Sequence, residues 1–98
     1  MEHKIQLKNQ LVIPENISKL NIKWEKKIVL AIVYQAIEEY GFCTFSNKAF
    51  ALYIHTSERS ISRYLTEFEI DGYIKTIGTC HNRGICWGEN YTKIKGGI

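Results

Sequence analysis

Apolar residues recur at helical steps over two long stretches of this chain and alternate over two shorter ones. From Trp24, the residues Trp24, Ile28, Ala31, Ile32, Ala36 and Tyr40 fall on one face of a helix. Leu30, Val33, Tyr34 and Ile37 thicken that face, so this helix is expected to be the central and most buried one. Gly41 ends it, as a glycine just past a helix commonly does. "FCTF" (Phe42–Phe45) is short, apolar and β-prone, and reads as a short strand. Ser46 offers an N-cap to a short helix, "NKAFALYIH", with Phe50, Ala51 and Ile54 facing inward. Thr56–Ser57 interrupts that helix, and Ser57 caps the next, with Glu58 suitably acidic in its first turn. There Ile61, Tyr64, Leu65 and Phe68 form the buried stripe, and Asp71–Gly72 ends it.

Ahead of these helices, "IQLKNQLVIP" alternates loosely and is expected to hold a short strand closed by Pro14. "PENISKLNIK" reads as a turn or short helical entry. Behind them, "YIKTIGTC" alternates as a strand, "HNRG" turns the chain, and "ICWGENYTKI" returns beside it. Two short helices joined by a tight turn have the pattern of a helix-turn-helix, and a following hairpin takes the place of the wing in a winged helix. The expected fold is therefore α+β, mainly α: a winged helix-turn-helix with a three-helix core and a C-terminal β-hairpin wing. It forms one domain over residues 1–98, with an N-terminal arm or strand over 1–13 and the wing hairpin over 73–95.

Composition narrows the setting. The 98 residues suit a single domain with a small core, at 45% hydrophobic and 12% aromatic. A formal net charge of +3 permits a polyanionic partner without demanding one, so the placement of the charge matters more than its total. Three cysteines, Cys43, Cys80 and Cys86, are too few and odd in number for a disulfide scaffold. "MEHKIQLKNQ" has no apolar run of the kind a signal peptide needs, and "IVLAIVY" is too short to span a bilayer. A reducing cytoplasm, with no membrane partner, is the expected location.

"FALYIHTSERSISRYL" resembles the helix-turn-helix signature of many DNA-binding proteins. Phe50 and Ala51 match the apolar and small residues of its first helix, and Ile54 the apolar residue before the turn. Ser57 matches the cap of the recognition helix, Ile61 its inward anchor, and Ser62–Arg63 a common outward pair. The wider stretch "YGFCTFSNKAFALYIHTSERSISRYLTEFEIDGYIK" resembles the winged-helix domains near the N-terminus of phage and plasmid replication initiators and DnaD-like replisome organisers. A "SNKxxA"-type entry, a "GYIK"-type strand after the recognition helix, and "LVIPENI", similar to an "IPxxI/L" segment, carry that likeness over Leu11 to Ile94. His55 stands where that turn usually has Gly, and "TCHNRGICW" matches no pattern of the family.

The candidate chemistry lies on the third helix of the core. At about 100° per residue, Arg59 and Arg63 lie nearly opposite Ile61, Thr66 continues their line, and Ser60 and Ser62 flank it. Arginine pairs with guanine edges or grips phosphate, and serine and threonine contact either. The amides near Ser57 suit a phosphate. The plain alternative is a solvated helix face with an Arg63–Glu67 pair. Arg83 is expected at the hairpin tip, placed for a minor groove or a phosphate, with a merely polar turn as its alternative. Lys48 and Lys75 are backbone contacts or ordinary surface lysines. The acidic run Glu67, Glu69 and Asp71 would repel DNA and should face away from it or meet a protein.

Other chemistry is thinner. Cys80, His81 and Cys86, with Cys43, lack the paired spacing of a zinc site, so no metal or other cofactor is expected. A loop of Asn82–Gly84 would set Cys80 opposite Cys86, either as two reduced thiols or as a cross-strand disulfide under oxidising conditions. Trp24 reads as core, while Trp87 divides between core packing and a base or partner contact. No phosphate loop, catalytic triad or marked carboxylate pair points to an enzyme. The expected function is duplex DNA binding, with the third helix in the major groove and the wing as a second contact. The resemblance implies replication initiation or replisome organisation in a phage or plasmid-type element. A transcriptional regulator of the same fold and a winged helix used as a protein-interaction module stand as alternatives. Single-stranded DNA, replication proteins and a second copy of the chain are the further partners to consider.

Overall fold

The computed structural model describes residues 4–79 and 82–95. Five helices and one β-hairpin follow in order: α1 (Glu15–Ser18), α2 (Trp24–Tyr40), α3 (Asn47–Ile54), α4 (Glu58–Ile70), β1 (Ile74–Thr79), β2 (Asn82–Trp87) and α5 (Thr92–Lys95). The architecture is α+β, with the antiparallel hairpin after the main helices. No described helix is long and apolar enough to cross a membrane.

Helix α2 runs through the middle. Val29, Leu30, Ala31, Ile32, Val33 and Ala36 are fully buried, and they meet Phe50 from α3, Ile61 and Phe68 from α4, and Ile85 from β2 in one core. Each large side chain so buried contributes about 1.5–3 kcal/mol relative to exposure. The ends of α2 depart from the expected face. Trp24 is 60% exposed and Tyr40 47%, because these end residues overhang the body that the middle turns pack against. Trp24 instead lies under the Lys27 ammonium, 4.6 Å from its ring centroid. Lys27 is itself buried, and its Nζ donates a 2.5 Å hydrogen bond to the Ser18 carbonyl, tying α2 to the end of α1.

The sequence signals for helix ends are used as expected. Gly41 caps α2 with φ 89° and ψ −27°, and its N–H donates to the Ile37 carbonyl. Ser46 Oγ accepts from the Ala49 amide to start α3. His55 ends α3 in the left-handed region, at φ 66° and ψ 48°, where glycine would be easier.

Among the described residues, the N-terminal segment forms no strand. It runs over α2 and is held by polar side chains: Glu39 accepts from the Lys8 and Asn9 amides, and Gln35 Nε2 donates to the Asn9 and Gln10 carbonyls. Pro14 does not close a strand but precedes α1 as its N-cap. "FCTF" contributes a single antiparallel bridge, in which Cys43 exchanges both backbone hydrogen bonds with Ile85.

The hairpin register differs from the sequence reading. Thr79 pairs with Asn82, so Asn82, Arg83 and Gly84 are the first residues of β2 and not the turn. Cys86 faces Lys75, not Cys80; Cys80 and His81 lie outside the described residues. β2 stops at Trp87, and α5 follows in place of a longer returning strand. Trp87 packs inward, edge-on to Tyr34 at 5.3 Å and stacked on Tyr91 at 5.9 Å. The corner is tight: a Cβ on Gly88 would stand 2.4 Å from the Gly72 carbonyl oxygen, so only glycine fits there.

Candidate nucleic-acid interface

Three residues, His55–Ser57, join α3 to α4. Ser57 Oγ accepts from the Ser60 amide at 3.1 Å and lies 3.0 Å from the Ser60 hydroxyl, so the first turn of α4 is capped by its own side chains. Ile61, Tyr64, Leu65 and Phe68 are buried at steps of three and four, which fixes the face α4 turns to the core. The opposite face follows from this. Arg59, Ser62, Arg63 and Thr66 are all exposed, in one row along the helix, with Ser60 half-buried at its edge.

The other sequence candidates lie apart from this row. Lys48 is exposed in the first turn of α3, at the end away from the α3–α4 turn. Lys75 lines a depression with Glu69, Ile70 and Glu89 at the C-terminal end of α4, so carboxylates surround it. Arg83 is not at the tip. It pairs with Gly78 in the ladder, and its Nη2 donates a 2.9 Å hydrogen bond to the Phe45 carbonyl, fastening the hairpin to the segment before α3. The reason is that the turn ends before Asn82, so Arg83 already belongs to β2 and shares a face with Ile85 and Trp87 by strand alternation.

Two carboxylates of the acidic run, Glu67 and Glu69, are engaged within the domain. Glu67 pairs with Lys26 of α2 at 2.8 Å, not with Arg63, and Glu69 accepts from the Thr76 hydroxyl at 3.1 Å. Hydrogen bonding from Lys26, helped by the charges of Lys26, Arg63 and Lys23, holds the Glu67 carboxyl below its ordinary value. Glu25 is likewise lowered, first by the hydrogen bond from Tyr64 and then by Thr56, Lys23 and Arg63.

Sequence periodicity did not single out Lys23 and Lys26. Both stand at the start of α2, and both line an open cleft of about 560 Å³ with Arg63, Tyr64 and Glu67 of α4. Lys23 Nζ is 5.8 Å and Arg63 Cζ 5.7 Å from the centroid of the Tyr64 ring. The only available signal was the cluster "KWEKK", which reads equally as solvated surface. Among the described residues no three His, Cys, Asp or Glu side chains group closely enough to hold a metal ion. Comparison with known proteins returns no match: no family model fits the sequence, and neither a curated protein nor a solved structure matches the chain.

Proposed function

We propose that this chain is a DNA-binding domain of the winged helix-turn-helix type, which docks α4 in the major groove of duplex DNA. The observation that carries the reading is the exposed row Arg59, Ser62, Arg63 and Thr66, set opposite a fully engaged apolar stripe on the same helix. A helix with one rigidly docked face and one polar, basic face meets the geometric need of groove recognition. Arg59, in the first turn beside the capped amides, is the residue for base edges, since recognition helices lead with their N-terminal residues. The ion pair of Glu67 with Lys26 supports the same reading, because it offsets a carboxylate that would otherwise repel DNA. The sequence resemblance supports replication initiation or replisome organisation in a phage or plasmid-type element, in the cytoplasm, as the setting.

The test is binding of the chain to duplex DNA selected from a random pool. R59A is expected to weaken the selected duplex by about 1–3 kcal/mol and to relax its sequence preference. Full affinity and preference in R59A would remove Arg59 as the reading residue. Absence of any duplex binding at low salt would favour a protein-interaction module instead.

A further inference from the structure

We infer that the cleft between the start of α2 and the middle of α4 is a clamp for one phosphodiester of the DNA backbone, with Lys23 and Arg63 as its two cations. This rests on the proposed duplex binding and divides its labour: Arg63 grips backbone, and Arg59, one turn earlier, is left to read bases. Several observations converge on the clamp. Lys23, just before α2, and Arg63 of α4 reach the cleft from different sides and converge on the buried Tyr64 ring. That ring is fixed by its own hydrogen bond to Glu25, so it is a rigid platform under both charges. Lys26, the third cation of the cleft, is already paired with Glu67, whereas Lys23 and Arg63 form no ion pair among the described residues. Three cations facing the carboxylates of Glu25 and Glu67 leave the cleft net positive.

The helix geometry adds to the charge. α2 begins without a side-chain cap at Lys23, and its first amide with a carbonyl partner is that of Lys27. The positive end of the longest helix therefore sits at the cleft, where it favours an anion. The cleft opens beside the outward row of α4, because Arg63 belongs to both. A duplex seated on that row carries its flanking phosphates along the same side. A phosphate there accepts from a guanidinium and an ammonium at once.

The experiment is a salt titration of the whole chain with a duplex of random sequence and with a selected one, over roughly 50–200 mM salt. K23Q and R63Q are each expected to flatten the slope of log affinity against log salt by about 0.9, equally on both duplexes, with sequence preference retained. The double variant should flatten it by about twice as much. Both sites are exposed, so neither change disturbs the core. Wild-type slopes in K23Q and R63Q, with the parent chain binding normally, would overturn the clamp alone. Relaxed sequence preference in R63Q would also overturn it, by assigning Arg63 to bases. A parent chain without salt-dependent binding would overturn the duplex reading, and the clamp with it.

Discussion

Tyr64 of α4 donates a 2.6 Å hydrogen bond from its phenol to Glu25 Oε1 of α2, across 39 positions of sequence. Thr56 in the α3–α4 turn adds to Tyr64 in holding the Glu25 carboxyl below its ordinary value. Y64F removes the phenol bond while keeping the ring and its packing. It is expected to cost about 0.5–1.5 kcal/mol in urea unfolding. An unchanged midpoint would mean that water replaces the phenol at no cost, and that Glu25 does not anchor α4.

The same contacts set the acid limit of the fold. Glu25 is held below its ordinary value by Tyr64 and Thr56, and Glu67 by Lys26, Arg63 and Lys23. A carboxyl with a lowered folded pKa contributes stability that is whole above the unfolded value, about 4.3, and is lost as pH falls through the folded one. The urea midpoint should therefore hold from neutrality down to about pH 5 and decline below about pH 4. E25Q should show a shallower acid decline than the parent chain. Equal declines would place the acid sensitivity elsewhere.

His55 holds a left-handed conformation that costs an ordinary L-residue about 1–2 kcal/mol. Glycine removes that cost but loses about 0.5–1 kcal/mol through the greater freedom of the unfolded chain. H55G is thus expected to be neutral or stabilising by up to about 1.5 kcal/mol, and H55V to be clearly destabilising, by thermal or urea unfolding. A loss in H55G larger than this would show that the imidazole makes a contact worth more than the strain it carries.

What could be read from sequence was local. The stripe Ile61–Tyr64–Leu65–Phe68, the Ser46 and Ser57 caps and the Gly41 and His55 helix ends each follow from residues within a turn or two. The misplacements share a different cause. Trp24 has the right spacing for the core but overhangs it, since periodicity gives a direction and not the extent of the neighbouring elements. "HNRG" carries good turn residues, yet the register is set by the distant Cys43–Ile85 bridge and by Arg83 reaching Phe45. Lys23, Lys26 and Arg63 meet only because of how α2 crosses α4, a contact without a trace in either segment alone.

The register places Arg83 within the ladder, where it makes a structural bond, and not at the hairpin tip. Its bond to the Phe45 carbonyl joins β2 to a segment 38 residues earlier, beside the buried bridge at Cys43. R83A leaves that carbonyl without its charged donor. A loss of about 1–2 kcal/mol is expected, since hydrogen bonds from charged groups rank above neutral ones and this site is half-buried. The salt slope for duplex binding should stay that of the parent chain, because an arginine turned inward neutralises no phosphate. Unaltered stability together with a slope flatter by about 0.9 would reverse the assignment and make Arg83 a phosphate contact.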